Sequence, residues 1–414
     1  MEKQKNISSK ISRRNFIKVS SAFSLLTLAT GLDSFGKKQL VFKAGAASVD
    51  ITPGPDVTLR GPTAGALKSE GVLDRLNARA IVMDDGKTKI GIAVCDVCMI
   101  SRKICDKAKE IIHDKTGIPT DKILISATHS HSVVRAMDLG HGEVHERYME
   151  SLSVWIAEAI EKAHKNMAPA RIGWYMTEKP EHCMNRLWFM KPGTIRPNPF
   201  GETTDQVLMG GFRNKKDALR PSGPVDPALS FLSLQYTDGR PLALLANYSI
   251  HYGQSGNKIS ADYFGHYARG IEERLGRNDG RPPMLGIMSN GTSGDINSGG
   301  EPVKLAASII DETMKIYDKI EHHDWVPIKM EEGELDIAMR KPDAERIKWA
   351  KEVLSPNWEK PADAHPWTEI YARNNLKLAE WPSTRRFKFQ ALRIGELGIA
   401  AVPTETYAKT GLAI

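Results

Sequence analysis

Two histidines separated by one residue follow a short apolar stretch, and both could take part in chemistry. Residues 122–127 are typical of a strand, and Thr128-His129-Ser130-His131-Ser132 follows directly. Side chains i and i+2 at a strand end point to the same side, so His129 and His131 are expected to share one site. Imidazole is a common metal ligand and carries protons near neutral pH. Two solvated loop histidines are the alternative interpretation.

Polar residues also follow four other apolar runs. They are Asp96 after residues 90–94, His251 after 242–250, Asp295 after 285–288 and Glu405 after 399–402. Ligands in α/β proteins bind at strand ends. His129, His251 and Glu405 form the two-histidine, one-carboxylate set of a catalytic zinc that keeps a position open for water. Zinc in such a site lowers the pKa of water to ~7.

A second histidine pair, His141 and His145, superficially resembles a helical zinc motif. In that motif the glutamate directly follows the first histidine, whereas Gly142 intervenes here and opposes helix formation. The sequence therefore favours a loop that leads into a helix. We interpret five other histidines as surface or structural residues: His182, His266, His322, His323 and His365. Of the four cysteines, we interpret Cys95 and Cys98 as buried core thiols.

The first 38 residues differ from the rest of the chain and are predicted to be an export signal and leader. They contribute +6 of the net charge of +7, and Ser12-Arg13-Arg14-Asn15-Phe16-Ile17-Lys18 is a twin-arginine pattern before a short apolar stretch. That stretch is too short for a transmembrane helix, so no membrane span is expected after signal removal. The body is near neutral, which argues against a nucleic-acid partner. We expect a periplasmic or extracellular protein.

The order of predicted elements indicates the fold class. Strands alternate with helices from residue 44 onward, interrupted by a Pro-, Gly- and Arg-rich stretch at 175–227 that is typical of a lid, a binding loop or disorder. We predict a single α/β domain over residues 39–414, layered as αββα with mixed sheets and a ligand site at strand ends. The sequence stops inside a helical stretch, and we therefore expect a C-terminal truncation.

The ordered motifs of residues 44–414 resemble the neutral/alkaline non-lysosomal ceramidase family, specifically its N-terminal catalytic domain. The resemblance is carried by these blocks: Asp50-Ile51-Thr52-Pro53, Ala78-Arg79-Ala80, Asp96-Val97-Cys98-Met99-Ile100, Thr128-His129-Ser130-His131-Ser132, Asn185-Arg186, His251, Asn290 with Gly294-Asp295, and Val402-Pro403-Thr404-Glu405. The order and spacing of these blocks are more specific than any one of them.

The resemblance implies roles for individual residues. His129, His251 and Glu405 would bind Zn²⁺, while His131, Arg186 and Asn297 would lie at the reacting bond. Further candidates for lining or supporting the site are Asp96, Asn185, Asp262 and Asp295. The implied reaction is hydrolysis of the N-acyl amide of ceramide, so the expected partner is an N-acyl sphingoid base or a related small-molecule or lipid substrate.

Two departures from the family pattern leave alternatives open. Asn297 stands where ceramidases carry a serine after Gly-Asp-Val, and the sequence ends before the family's tyrosine zinc ligand and C-terminal domain. The leading hypothesis is an exported zinc-dependent amidohydrolase. The alternatives are a divergent hydrolase of a substrate other than ceramide, and an inactive homologue that binds a ligand.

Overall fold

The computed structural model describes residues 40–54, 57–59, 67–134, 136, 143–253, 256–276, 282–297 and 300–414. The predicted export signal, His141 and Gly142 lie outside these residues. No helix within the described ranges is long and apolar enough to span a membrane.

The described part of the chain contains the following elements. The strands are β1 (Lys43–Asp50), β2 (Thr58–Leu59), β3 (Leu67–Lys68), β4 (Asn77–Asp84), β5 (Lys89–Cys95), β6 (Ile123–Ala127), β7 (Ala168–Glu178), β8 (Leu187–Met190), β9 (Val207–Met209), β10 (Ala218–Pro221), β11 (Ala228–Tyr236), β12 (Pro241–Tyr248), β13 (Leu285–Asn290), β14 (His322–His323), β15 (Ile328–Ala338), β16 (Thr384–Ile394) and β17 (Leu397–Ala401). The helices are α1 (Arg102–Thr116), α2 (Glu143–Lys165), α3 (Asp262–Leu275), α4 (Pro302–Tyr317), α5 (Ala344–Val353), α6 (Thr368–Glu380) and α7 (Ala408–Gly411).

Local sequence signals account for where several elements begin and end. The Ser101 hydroxyl accepts from the Ile104 N–H at the start of α1, and Gly117 ends that helix at φ 71°. Glu301 caps α4 by accepting two backbone N–H groups, with Pro302 at the first helical position. The turn between β4 and β5 uses Gly86 at φ 87°, a conformation that glycine adopts without steric cost.

The main sheet of the described residues has nine strands and folds over into two halves. Its order is β13-β12-β11-β7-β1-β4-β5-β6, with β14 on β7, and the β1–β7 pairing is restricted to two residue pairs. The first half contains β1, β4, β5 and β6, and the second contains β7 and β11–β14. β13 contacts β5 and β6 across the interior, so the two halves pack face to face.

Three apolar clusters fill the spaces between layers. One lies between α1–α2 and the first half-sheet, and another between α3–α4 and the second half-sheet. The third lies between the half-sheets and is closed by side chains of the separate sheet β15-β16-β17. The prediction of an α/β domain with αββα layers and mixed sheets is therefore confirmed.

Strand direction brings the predicted strand ends to one edge. β5 and β6 are parallel, with Cys95 paired to Ala127, and β12 and β13 are parallel, with Tyr248 paired to Asn290. Since parallel neighbours end at the same edge, residues that follow β5 and β6 lie side by side, as do those that follow β12 and β13. Contacts between β13 and the strands β5 and β6 bring the two edges together.

The stretch at 175–227 contains more regular structure than the sequence indicates. β7 runs on to Glu178, and the antiparallel sheet β10-β8-β9 occupies the region between residues 187 and 221. The sequence pattern also gave no indication of the first part of β7 or of α6. The strands β8–β10 are only three or four residues long, too short for a period-two pattern to be recognised.

We predict that Ile287→Ala lowers the free energy of unfolding by about 2–5 kcal/mol, because it leaves a cavity between the half-sheets. Ile287 lies on β13 in the inter-sheet cluster and is 1% exposed. Urea denaturation is the measurement. Leu335→Ala on β15, where the side chain is 59% exposed, is the control and should change stability by less than about 0.5 kcal/mol. Equal effects of the two substitutions would contradict the packing of the half-sheets.

Candidate functional site

His129 follows β6 in an unusual backbone conformation. Its φ is 65°, and its N–H donates to the Val97 carbonyl in the segment after β5. A positive φ is costly for a residue with a Cβ, so the i, i+2 alternation of a strand does not extend to His129. The ring Nδ1 lies 2.8 Å from the Cys98 carbonyl oxygen. When Nδ1 donates to that carbonyl, Nε2 is left as the lone-pair nitrogen that faces the site.

Three imidazoles lie together at this edge. The ring of His129 is 4.9 Å from that of His131 and 5.2 Å from that of His251, centroid to centroid. His131 and His129 approach each other through their Nε2 atoms at 3.4 Å. Tyr252 stacks on His131 at 3.9 Å, with an angle of 19° between the rings. His251 is 3% exposed, and neither of its ring nitrogens has a hydrogen-bond partner among the described residues.

One carboxylate oxygen joins the cluster. Glu405 Oε1 is 3.0 Å from Arg186 Nη2, 3.5 Å from His129 Nε2 and 3.8 Å from His251 Nδ1. One ligand atom from each of His129, His251 and Glu405 can be chosen so that all three lie within 4.8 Å of one another. The structure therefore brings together the three residues that the sequence grouped, although more than 100 residues separate each from the next.

The segment that carries Glu405 is fixed to the loop after β13. The Gly294 N–H donates to the Thr406 carbonyl, and the Ala408 N–H donates to Asp295 Oδ1. Asn185 donates to the other carboxylate oxygen of Asp295, and Arg186 Nη2 donates to the Gly294 carbonyl. Asn185 and Asp295 therefore hold the segment that carries Glu405 in place rather than facing His129.

The charges of the cluster depend on one another. Burial opposes protonation of His129, but its hydrogen bonds with Cys98 and Glu405 outweigh this and raise its pKa to about 10. Burial and the positive charge of Arg186 lower the pKa of His251 to about 2. Burial also opposes the charge on Glu405, but His129 outweighs it and lowers the pKa of that carboxyl to about 2. At neutral pH, His251 is therefore uncharged and offers as a ligand the one ring nitrogen that carries no proton, whereas His129 is protonated and would release a proton on binding a metal ion.

Three other residues that the sequence predicted for the site form hydrogen bonds within the fold. Asp96 is buried and accepts from Arg79 at 2.5 Å and from the Asn77 N–H, which ties β5 to β4. Asp262 starts α3 at φ 57°, and its Oδ1 accepts from the N–H of Gly253, two residues beyond His251. Asn297 is half-buried, and its backbone N–H donates to the Met184 carbonyl.

Two residues of the cluster, Cys98 and Tyr252, were not predicted from the sequence. Cys98 is buried as expected, but its Sγ lies 3.9 Å from His129 Nδ1, and it forms a second possible ligand group with His129 and His131. Its place after β5, the parallel neighbour of β6, is the signal that could have indicated this contact. Tyr252 follows His251 directly, yet a lone tyrosine carries no signal of stacking on His131.

Comparison with known proteins identifies the family of this chain. Residues 42–302 match the family model described as "Neutral/alkaline non-lysosomal ceramidase, N-terminal". The chain belongs to this family. The resemblance of the sequence motifs to the neutral/alkaline ceramidases is therefore confirmed, and the low identities below indicate a divergent member.

Two similar proteins are neutral ceramidases A and B of Dictyostelium discoideum. The first is 23% identical over 278 residues and the second 25% over 275, each alignment covering 62% of this chain. These alignments cover 36% and 35% of the two relatives, so the chain matches about a third of their length.

Two solved structures share the fold. One, titled "Ceramidase complexed with C2", has a TM-score of 0.64 at 14% identity and covers 90% of this chain and 65% of that one. The neutral ceramidase of Pseudomonas aeruginosa has a TM-score of 0.62 at 16% identity, covering 90% and 64%. The ceramidase fold therefore extends past the family match at residue 302.

We predict that Gly294→Ala displaces the segment that carries Glu405. An added Cβ would lie 2.6 Å from the Glu405 carbonyl oxygen and 2.9 Å from that of Thr406. Overpacking of this kind costs about 1–3 kcal/mol, measured by urea denaturation. Gly398→Ala on β17 is the control, because a Cβ there meets nothing within 4 Å. The control should match or exceed the wild-type stability, and an equal loss in both variants would refute the close approach at Gly294.

Proposed function

We propose that the chain is a zinc-dependent hydrolase of the ceramidase type, which cleaves the N-acyl amide of a ceramide or of a related acyl substrate. The observation that carries this proposal is the convergence of His129, His251 and Glu405 on one point. The twin-arginine pattern at Arg13 and Arg14 supports export to the periplasm or the exterior as part of the same proposal.

The chemistry of the three residues fits a zinc ion. Ligands at about 2.0–2.1 Å in tetrahedral geometry lie roughly 3.3 Å from one another. The separations of Glu405 Oε1 from His129 Nε2 and His251 Nδ1, 3.5 and 3.8 Å, are close to that value. Within the described part of the chain, both nitrogens of the buried His251 lack hydrogen-bond partners, a condition that costs free energy unless a ligand compensates it. The Cys98 carbonyl orients His129 as expected for a metal-binding histidine.

The remaining residues would act on the substrate. His129, His251 and Glu405 would hold a zinc ion, which when bound would polarise an acyl carbonyl as a Lewis acid and lower the pKa of water to ~7. His131, held by Tyr252, lies where it could take a proton from the attacking water and give it to the leaving amine nitrogen. Arg186 Nε is buried and has no hydrogen-bond partner in the described ranges, so it would be available to donate to a developing oxyanion. Hydrolysis adds water across the C–N bond and yields a carboxylate and an amine.

A second candidate follows from Asn297, which stands in place of the family's serine. An amide side chain can donate to a carbonyl but cannot supply a hydroxyl. This difference favours either a hydrolase of another amide or ester, or a homologue that binds a ligand without turnover.

We predict that purified protein carries about one zinc ion per chain and that His129→Ala and His251→Ala reduce this at least tenfold, because each removes one of three protein ligands. Elemental analysis after dialysis is the measurement. His323→Ala is the matched control, since His323 packs beside Trp174 and belongs to no ligand group of the described residues. Zinc content unchanged by His129→Ala would rule out the proposed centre.

We predict that the protein hydrolyses a short-chain N-acylsphingosine and that His131→Gln lowers kcat by about 10²–10⁴-fold with zinc retained, because only the proton carrier is removed. Sphingosine release is measured by chromatography, with His323→Gln as the control. Turnover of other amides or esters but not of N-acylsphingosine would favour the divergent hydrolase. Bound zinc with no turnover of any of them would favour the ligand-binding homologue.

A further inference from the structure

Cys98 lies against the histidine cluster but takes no part in the proposed zinc centre. Its Sγ is 3.9 Å from His129 Nδ1, and the residue is 1% exposed. One ligand atom from each of Cys98, His129 and His131 can be chosen so that all three lie within 4.8 Å of one another. In the described part of the chain, the other buried thiol, Cys95, belongs to no such group, so the surroundings of the two thiols differ.

Backbone hydrogen bonds fix the two segments that carry these side chains. The Cys98 N–H, in the segment after β5, donates to the Val134 carbonyl, and the His129 N–H, in the segment after β6, donates to the Val97 carbonyl. The thiol is therefore held beside the imidazoles before any ion arrives. A ligand group that is preorganised in this way loses little conformational freedom when it binds.

The ligand chemistry of this group differs from that of the zinc group. A thiolate is a soft, polarisable ligand that favours soft cations such as Cu(I), whereas a carboxylate favours harder ones. The Nε2 atoms of His129 and His131 are 3.4 Å apart, close to the roughly 3.3 Å expected for two nitrogens on one tetrahedral ion. Metal–sulfur bonds, at about 2.3 Å, are longer than metal–nitrogen bonds, so a thiolate ligand stands further from the other two.

We propose that Cys98, His129 and His131 form a second metal-binding position, which takes a soft, thiophilic cation and shares His129 with the zinc group. The Cys98 carbonyl occupies Nδ1 of His129, so Nε2 is the nitrogen left to bind an ion in either group. One lone pair binds one ion, and the two positions therefore exclude each other. On binding, the Cys98 thiol releases its proton to solvent and a metal–sulfur bond forms.

Occupation of the second position would inhibit hydrolysis. A soft cation there binds His129 in place of zinc, and it also binds His131, the residue proposed to carry the proton. This consequence rests on the proposed function. The binding itself requires neither zinc nor turnover, so it can be measured separately from activity.

The test is titration of the purified full chain with Cd²⁺, a soft cation whose bond to a thiolate gives a charge-transfer band in the ultraviolet. We expect the band to saturate at about one Cd²⁺ per chain, with release of bound zinc, and we expect Cys98→Ser to remove it. Cys105→Ser is the matched control and should retain the band, because Cys105 is half-buried on α1 and belongs to no ligand group of the described residues.

Two histidine substitutions separate the second position from the zinc centre. His131→Gln should weaken Cd²⁺ binding at Cys98 by about tenfold or more with zinc retained, because His131 belongs to the thiol group and not to the zinc group. His251→Ala should have the opposite effect, lowering the zinc content and leaving the cadmium–thiolate band. His129→Ala should lose both. Urea denaturation establishes that each variant is folded.

The outcomes distinguish failure of this proposal from failure of the proposed zinc centre. Release of zinc by Cd²⁺ without a thiolate band would overturn the second position, since cadmium would then have replaced zinc in its own group. A band that persists in Cys98→Ser, or that falls equally in Cys105→Ser, would also overturn it. A Cys98-dependent band in protein that carries no zinc would retain the second position and reject the zinc centre.

Discussion

The arrangement of the site depends on a single carboxylate oxygen. Glu405 Oε1 is approached by Arg186, His129 and His251, which belong to three separate segments of the chain. The cations Arg186 and His129 lose hydration on folding, and the carboxylate between them offsets part of that cost, whereas His251 approaches the same oxygen as an uncharged ring. The Glu405 oxygen therefore holds the cluster together in the described structure. The same oxygen would be a ligand for a metal cation, which would replace part of its contacts with these side chains.

Strain in the backbone is concentrated beside this cluster. His129 and Asp262 are the two non-glycine residues with positive φ in the described ranges. Such conformations cost about 1–3 kcal/mol each and persist only where surrounding contacts fix them. His129 is fixed through the Val97 and Cys98 carbonyls, and Asp262 accepts from the N–H groups of Gly253 and Tyr263. Both strained residues thus set the direction of loops that present imidazoles, which is consistent with a preorganised site.

The sequence was sufficient for the features that depend on local pattern and strand order. The apolar runs before Asp96, His129 and His251 predicted buried strands, and the parallel pairs β5–β6 and β12–β13 explain why the residues that follow these strands lie close together. The sequence could not predict the features that depend on tertiary packing. α6 buries only Thr368 and Ala372, so its sequence shows little apolar periodicity, and the φ of His129 results from contacts with the segment after β5. The contact of Cys98 with His129 also depends on how the segment after β5 packs against the segment after β6.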